Sequence, residues 1–149
     1  VFAEMAKTGM SVFLLGAKPG VAETAGEKLA AKYSGLRIAG TNDGYFKDDE
    51  PIIEKINASS PDLVLVCLGA PKQEKWLLRN GNRLNARLGM GLGGSLDVYS
   101  GTVERAPEFF LKTNLEWLYR ITTDPKRLGR AMRLPAFLFG VIGQKIKGE

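Results

Sequence analysis

The chain has 149 residues, of which 44% are hydrophobic and 25% charged, proportions typical of one globular domain. It contains no histidine and one cysteine, which excludes a histidine-based catalytic triad, a His-ligated metal site and a disulfide framework. No apolar run approaches the roughly 20 residues of a membrane-spanning helix. The chain lacks an initiator methionine and a signal peptide and opens on a helix-like stretch over 1–5, so we expect the gene product to begin further upstream.

Short apolar runs alternate with helical patterns in the first part of the chain. Residues 12–15 predict a buried strand that ends at Gly16, and helical spacing follows over 21–33. Residues 36–38 predict a second strand. A helix is predicted over 51–58, after three acidic residues that favour a helix N-terminus.

The clearest strand covers 63–68, where uninterrupted apolar residues indicate helices on both faces of the sheet. Pro71 suits the first turn of a helix that runs to about residue 79. The glycine-rich stretch 89–94 includes a short strand. This alternation predicts an α/β fold, a Rossmann-like parallel sheet flanked by helices.

The basic excess of the chain lies entirely in its last 30 residues. The net charge is +5, and residues 120–149 hold seven Lys or Arg against two acidic residues. Further helices are predicted around 109–121 and after Pro125 and Pro135. We therefore predict a neutral body over 1–119 and a helical, basic, amphipathic appendage over 120–149. Such an appendage favours an anionic partner, although a solvated helix face has the same pattern.

Glycines and polar residues follow the predicted strands, where ligands bind in open parallel sheets. The loop 16–20 could turn backbone N–H groups toward a phosphate, but a plain tight turn explains the same residues. In the segment 40–46, the aromatic ring of Tyr45 beside a Gly-rich turn could stack on a nucleobase. Phe46 is expected to pack in the core.

Two later loops offer polar side chains at the same end of the sheet. Gln73 follows the most buried strand and presents both an amide donor and an acceptor, although polar residues at a helix start are often only exposed. Asp97 follows a stretch with three glycines and could accept hydrogen bonds from ribose hydroxyls. From its spacing alone, the first interpretation of Asp97 is a helix cap or turn residue.

Five stretches together resemble the WecG/TagA/CpsF family of bacterial glycosyltransferases, glycosyltransferase family 26. They cover nearly the whole chain in the family's order, and GAPKQEKW with the GTNDGYF loop is the most specific combination. The stretches are FLLGAKPGVAE (13–23), GLRIAGTNDGYF (35–46), PDLVLVCLGAPKQEKW (61–76), GLGGSLDVYSGTVERAP (91–107) and LEWLYR (115–120).

The resemblance implies an enzyme that transfers an N-acetylmannosamine-type sugar from UDP to polyprenyl-diphosphate-linked N-acetylglucosamine. Its product would enter wall teichoic acid or a related surface polysaccharide. The enzyme would work without metal, as a peripheral protein at the inner, cytoplasmic face of the cell membrane. The sequence leaves open the uronic acid form of the donor sugar and a homo-oligomeric state.

The resemblance also implies roles for individual residues. Gln73 would lie near the diphosphate or the transferred sugar as the catalytic-site residue of this chain, with the general base in an N-terminal segment that precedes it. Arginines of the appendage would bind the acceptor diphosphate through planar guanidinium groups: Arg120, Arg127 and Arg130. The nucleotide would be bound by the strand-end residues Gly16, Thr41, Asp43, Gly44, Tyr45 and Asp97.

Two other classes of function stay open at this point. A non-catalytic nucleotide- or phosphate-binding module of the same fold differs from a transferase only in lacking turnover. A nucleic-acid-binding domain is less favoured, because the basic appendage carries no helix-turn-helix, RRM or KH signature and its apolar run 134–142 suits lipid better.

Overall fold

The computed structural model describes residues 1–103 and Pro107. Within this range helices and strands alternate, which confirms the predicted α/β class. The elements are α1 (Phe2–Thr8), β1 (Ser11–Gly16), α2 (Val21–Lys32), β2 (Arg37–Asn42), α3 (Glu50–Ser59), β3 (Leu63–Cys67), α4 (Lys72–Asn80), a 3-10 turn (Gly81–Arg83), β4 (Leu88–Gly91) and α5 (Ser95–Tyr99). The helices predicted beyond residue 107 lie outside the described residues, and the division at residue 119 stays a prediction.

The four strands form one parallel sheet in the order β2-β1-β3-β4. Val12 to Gly16 of β1 pair in register with Leu63 to Cys67 of β3. The chain passes outward from β1 to β2 and then returns beyond β1 to β3. The direction of winding therefore reverses between β1 and β3, and in open parallel sheets ligands bind in the crevice outside the carboxyl ends of the strands at such a reversal.

Each face of the sheet carries its own core. On one face Val12, Leu14 and Leu65 pack with α1, α2 and α5. On the other face Phe13, Leu15 and Val66 pack with α3 and α4. Alternate strand residues enter opposite cores, and all five residues of β3 are buried. The predicted helices on both faces are thereby confirmed.

The second strand is longer than predicted, because Gly40, Thr41 and Asn42 belong to β2 and not to a turn. They pair with Phe13, Leu14 and Leu15 after a shift of register. A Cβ atom on Gly40 would lie 2.7 Å from Cε2 of Phe13. Gly40 therefore leaves room for the buried ring of Phe13. The turn begins only at Asp43.

Asp62 connects β1 and β3 at the opposite, amino end of the sheet. The Asp62 carboxylate accepts hydrogen bonds from the backbone N–H of Ser11 at 2.8 Å and from its hydroxyl at 3.1 Å. These bonds, the backbone one first, hold the pKa of Asp62 below its ordinary value, and Arg87 adds to the effect. This contribution to stability is present above the carboxylate's unfolded pKa and is lost as the pH falls through the folded one.

Candidate functional site

The segment 43–49 crosses the carboxyl end of β1 on its way to α3. The backbone N–H of Gly44 donates to the carbonyl oxygen of Ala17 at 2.9 Å. A Cβ atom on Gly44 would lie 3.0 Å from Cδ2 of Leu68 and 3.3 Å from Cα of Gly16. Gly44 therefore packs against the ends of both β1 and β3, and two predicted nucleotide-site residues, Gly16 and Gly44, come together at the crevice.

Gly16 allows the two central strands to approach closely at their ends. Its φ is 135°, and a Cβ atom there would lie 2.3 Å from the carbonyl oxygen of Cys67. The next residue, Ala17, donates its backbone N–H to the same oxygen at 3.3 Å. The ends of β1 and β3 therefore meet backbone against backbone, which only glycine at position 16 permits.

The two aromatic residues after β2, Tyr45 and Phe46, lie in different environments. The Asp43 carboxylate accepts the backbone N–H of Tyr45 at 2.7 Å, as expected of an aspartate that closes a turn on itself. Tyr45 is 69% exposed. Phe46 packs edge-on against Trp76, with ring centroids 6.4 Å apart. The expected packing of Phe46 is confirmed, and the ring of Tyr45 lies open to solvent.

Asp49 connects the end of the segment 43–49 to α4 through hydrogen bonds. Its carboxylate accepts hydrogen bonds from Nε1 of Trp76 at 3.0 Å and from Nδ2 of Asn80 at 2.9 Å. Arg79 lies 3.7 Å away. The sequence presented Asp49 only as part of an acidic helix start, but its side chain makes no capping bond there. Asp48 instead accepts the backbone N–H of Glu50.

Gln73 connects α4 to the glycine-rich loop after β4. Its Oε1 accepts the backbone N–H of Gly93 at 2.8 Å, and its Nε2 donates to Glu74 at 2.8 Å. The side chain is buried. A Cβ atom on Gly91 would lie 2.8 Å from Nε2 of Gln73. The structure therefore gives this amide a clear role in positioning the loop 91–94, and one of its two amide N–H groups has no hydrogen-bond partner within residues 1–103.

Asp97 lies in the first turn of the short helix α5, near the end of β3. Helix α5 was not predicted, and Leu96 anchors it by complete burial. Burial raises the pKa of the Cys67 thiol to about 11, opposed by the backbone N–H groups of Leu96 and Ser95 and reinforced by the Asp97 charge. The thiol is therefore neutral at physiological pH, and Asp97 lies close enough to the end of β3 for its charge to act on this thiol.

Thr41 lies at the α2 side of the site. Its hydroxyl donates to Glu23 in the first turn of α2 at 3.2 Å. Its methyl group lies 3.6 Å from a Cβ atom built on Gly26. Thr41 therefore joins the end of β2 to α2, away from the Gly16–Gly44 contact.

The remaining predictions concern the arginines of the appendage, metal ions and the membrane. Arg120, Arg127 and Arg130 lie outside the described residues. Among residues 1–103, no group of three or more His, Cys, Asp or Glu side chains is placed to hold a metal ion. No helix in this same part of the chain is long and apolar enough to cross a membrane.

Comparison with known proteins identifies the family. A model of the glycosyl transferase WecG/TagA/CpsF family matches residues 1–149. The chain belongs to this glycosyltransferase family. Its α/β sheet is therefore that of a WecG/TagA/CpsF protein, and the resemblance carried by GAPKQEKW and GTNDGYF is confirmed.

Two curated relatives of this WecG/TagA/CpsF chain share one name, N-acetylglucosaminyldiphosphoundecaprenol N-acetyl-beta-D-mannosaminyltransferase. The relative from Bacillus spizizenii is 43% identical over 132 residues, which are 88% of this chain and 51% of the relative. One from Staphylococcus aureus is 39% identical over 137 residues, 91% of this chain and 54% of the relative. The chain thus spans about half the length of the curated relatives it matches.

Proposed function

We propose that the complete gene product transfers an N-acetylmannosamine-type sugar from UDP to polyprenyl-diphosphate-linked N-acetylglucosamine, in the synthesis of wall teichoic acid or a related surface polysaccharide. The observation that carries the proposal is the close approach of Gly16, Gly44 and the ends of β1 and β3, at the position where parallel sheets bind ligands, in a chain of this family. The relatives' shared name, which contains both the acceptor and the transferred sugar, supports it.

The donor nucleotide lies along the carboxyl ends of the strands in this proposal. Tyr45, exposed at the turn, contacts the uracil, and Gly44 leaves room for it. Asp97 accepts hydrogen bonds from the ribose hydroxyls. Gly16 presents bare backbone at the centre of the crevice, and Asp43 holds the turn that carries Tyr45. Thr41 supports the rim through its bond to α2.

The reacting groups lie next to the loop that Gln73 positions. In the proposal Gln73 faces the diphosphate or the transferred sugar with its remaining N–H, while it holds Gly93. The general base is supplied by a segment that precedes this chain. Arg120, Arg127 and Arg130 bind the acceptor diphosphate. The basic appendage holds the enzyme at the inner face of the cytoplasmic membrane, since each basic residue near an anionic leaflet contributes about 1 kcal/mol.

Turnover tests the proposed function directly. The complete gene product is incubated with UDP-N-acetylmannosamine and a lipid-diphosphate-linked N-acetylglucosamine, and the disaccharide product is measured by mass spectrometry. UDP-N-acetylglucosamine and the uronic acid donor are matched controls for the sugar. Binding of UDP without transfer from any of these donors would contradict the proposal and leave the non-catalytic module.

The exposed ring of Tyr45 gives a prediction for the donor. Tyr45→Ala should weaken UDP binding by roughly 1–2 kcal/mol, because a base stacked on an aromatic ring loses that contact. Tyr45→Phe keeps the ring and should bind UDP like the wild type. Isothermal titration calorimetry measures both. An Ala variant with wild-type affinity would remove Tyr45 from the nucleotide site.

The proposed function also predicts that the rate of sugar transfer does not depend on divalent cations. Lys18 and the arginines of the appendage supply positive charge that can stabilise the departing diphosphate. We therefore expect transfer by the complete gene product to continue at an unchanged rate in excess EDTA. A loss of turnover that magnesium or manganese restores would show that a metal ion carries this charge instead.

A further inference from the structure

A groove of about 800 Å³ opens between the segment 44–50 and helix α4. One end reaches Gly44, the residue that also packs against Gly16. Phe46, Leu68 and Trp76 contribute its apolar wall. The groove is therefore continuous with the crevice proposed for the nucleotide, but it extends away from that crevice along the outside of α4.

When the paired side chains of the groove are set aside, the charge that is left over is positive. Five basic and three acidic residues line it. Asp49 is held by Trp76 and Asn80, with Arg79 nearby. Glu50 receives two hydrogen bonds from Arg83, at 2.5 and 2.6 Å.

Three lysines of the groove stay unpaired after these contacts. The side-chain ammonium groups of Lys47, Lys72 and Lys75 form no ion pair or hydrogen bond with the part of the chain that the structure describes, and Asp48 is the acidic residue left beside them. The lysines outnumber this carboxylate, and two of them lie one turn apart on α4. Such an arrangement attracts an anion with more than one charge, such as a diphosphate.

An exposed apolar side chain of α4 also lines the groove. Leu78 lines the groove and is 86% exposed. It lies six residues, or about 9 Å along the helix axis, beyond Lys72. A single exposed leucine is ordinary on a protein surface. Here it lines the same groove as two unpaired lysines, so one helix offers this groove both cationic and apolar side chains.

We infer that this groove binds an amphiphile in which a diphosphate is joined to an apolar chain. Lys72 and Lys75 contact the diphosphate, Lys47 faces them across the groove, and Leu78 contacts the first part of the chain. The inference rests on the proposed function, because the proposed acceptor is a molecule of this class. It adds a binding surface on α4 to the arginines of the appendage.

Farnesyl diphosphate is a soluble probe of this class, and its binding to this chain can be measured by calorimetry beside inorganic diphosphate and UDP. The double variant Lys72→Gln/Lys75→Gln should bind farnesyl diphosphate at least tenfold more weakly, with UDP affinity unchanged. Leu78→Ser should weaken farnesyl diphosphate several-fold and leave inorganic diphosphate unchanged. The matched control is Lys7→Gln/Lys32→Gln, which removes the same charge from exposed positions on α1 and α2.

Several results would overturn the inference. They are wild-type binding of farnesyl diphosphate by the Lys72/Lys75 variant, an equal loss in the Lys7/Lys32 control, and wild-type binding by Leu78→Ser. An equal loss of UDP would assign the lysines to the donor instead. Sugar transfer is measured separately, so the inference can fail while turnover stands, and absent turnover contradicts the proposed function whatever the probe does.

Discussion

Gly16→Ala should lower the free energy of unfolding by about 3 to 5 kcal/mol, since backbone strain costs about 1–3 kcal/mol and overpacking about 1–3 kcal/mol. The new methyl group would lie 2.3 Å from a carbonyl oxygen of the neighbouring central strand, at a φ of 135°. The obstacle is the backbone of Cys67 and not a flexible side chain. The strands must separate to admit it, and the crevice between them must widen.

Gly20→Ala is the matched control for this variant. Gly20 also has a positive φ, 83°, but a Cβ atom there meets nothing within 4 Å. It should therefore lose only about 1 kcal/mol, the usual cost of a left-handed conformation for alanine. Urea denaturation of both variants measures the difference. Equal losses at the two positions would show that the close approach of β1 and β3 is not what requires glycine.

Asp49→Ala should have the next largest effect on stability. The substitution removes the acceptor of Trp76 and Asn80, whose side chains are 2% and 3% exposed. Leaving a buried donor without a partner costs about 1–3 kcal/mol, so we expect a loss of about 2–5 kcal/mol for the two donors together. UDP affinity should fall as well, because Asp49 fastens the segment that carries Gly44 and Tyr45.

Asp48, the neighbouring residue, provides the matched control for Asp49→Ala. Asp48→Ala removes a carboxylate from the same segment, but that group accepts only the exposed backbone N–H of Glu50. It should lose about 1 kcal/mol or less, as for a typical helix cap. Thermal unfolding and UDP titration of both variants test the difference. If Asp48→Ala destabilises the fold as much as Asp49→Ala, the contact with α4 is not what holds the segment.

Most of the fold could be predicted because its signal is local. The apolar run 63–68 and the helical spacing over 21–33 correspond to β3 and α2 within a few residues. The short helix α5 could not be predicted in the same way. It has five residues, follows a glycine-rich stretch, and depends on burial of Leu96 in the core beneath α2. Tertiary packing, and not helix propensity, determines such an element.

The candidate site could be predicted in its position but less well in its contacts. Parallel strands bring their carboxyl ends to one edge, so glycines 16 and 44 were expected together. The two partners of Asp49 lie 27 and 31 residues away in sequence, and the loop residue that Gln73 holds lies 20 residues away. Their side chains reach other elements, and no local pattern in the sequence indicates where such contacts form.

The most direct test of the nucleotide position is a UDP titration of the isotopically labelled chain, followed by the backbone amide signals in NMR spectra. Binding at the carboxyl ends of the strands predicts saturable shifts at Gly16, Ala17, Gly44 and Tyr45, with the amides of Ser11 and Asp62 at the amino end unchanged. Shifts concentrated around Ser11 and Asp62, with the amides of Gly16 and Gly44 unaffected, would contradict it.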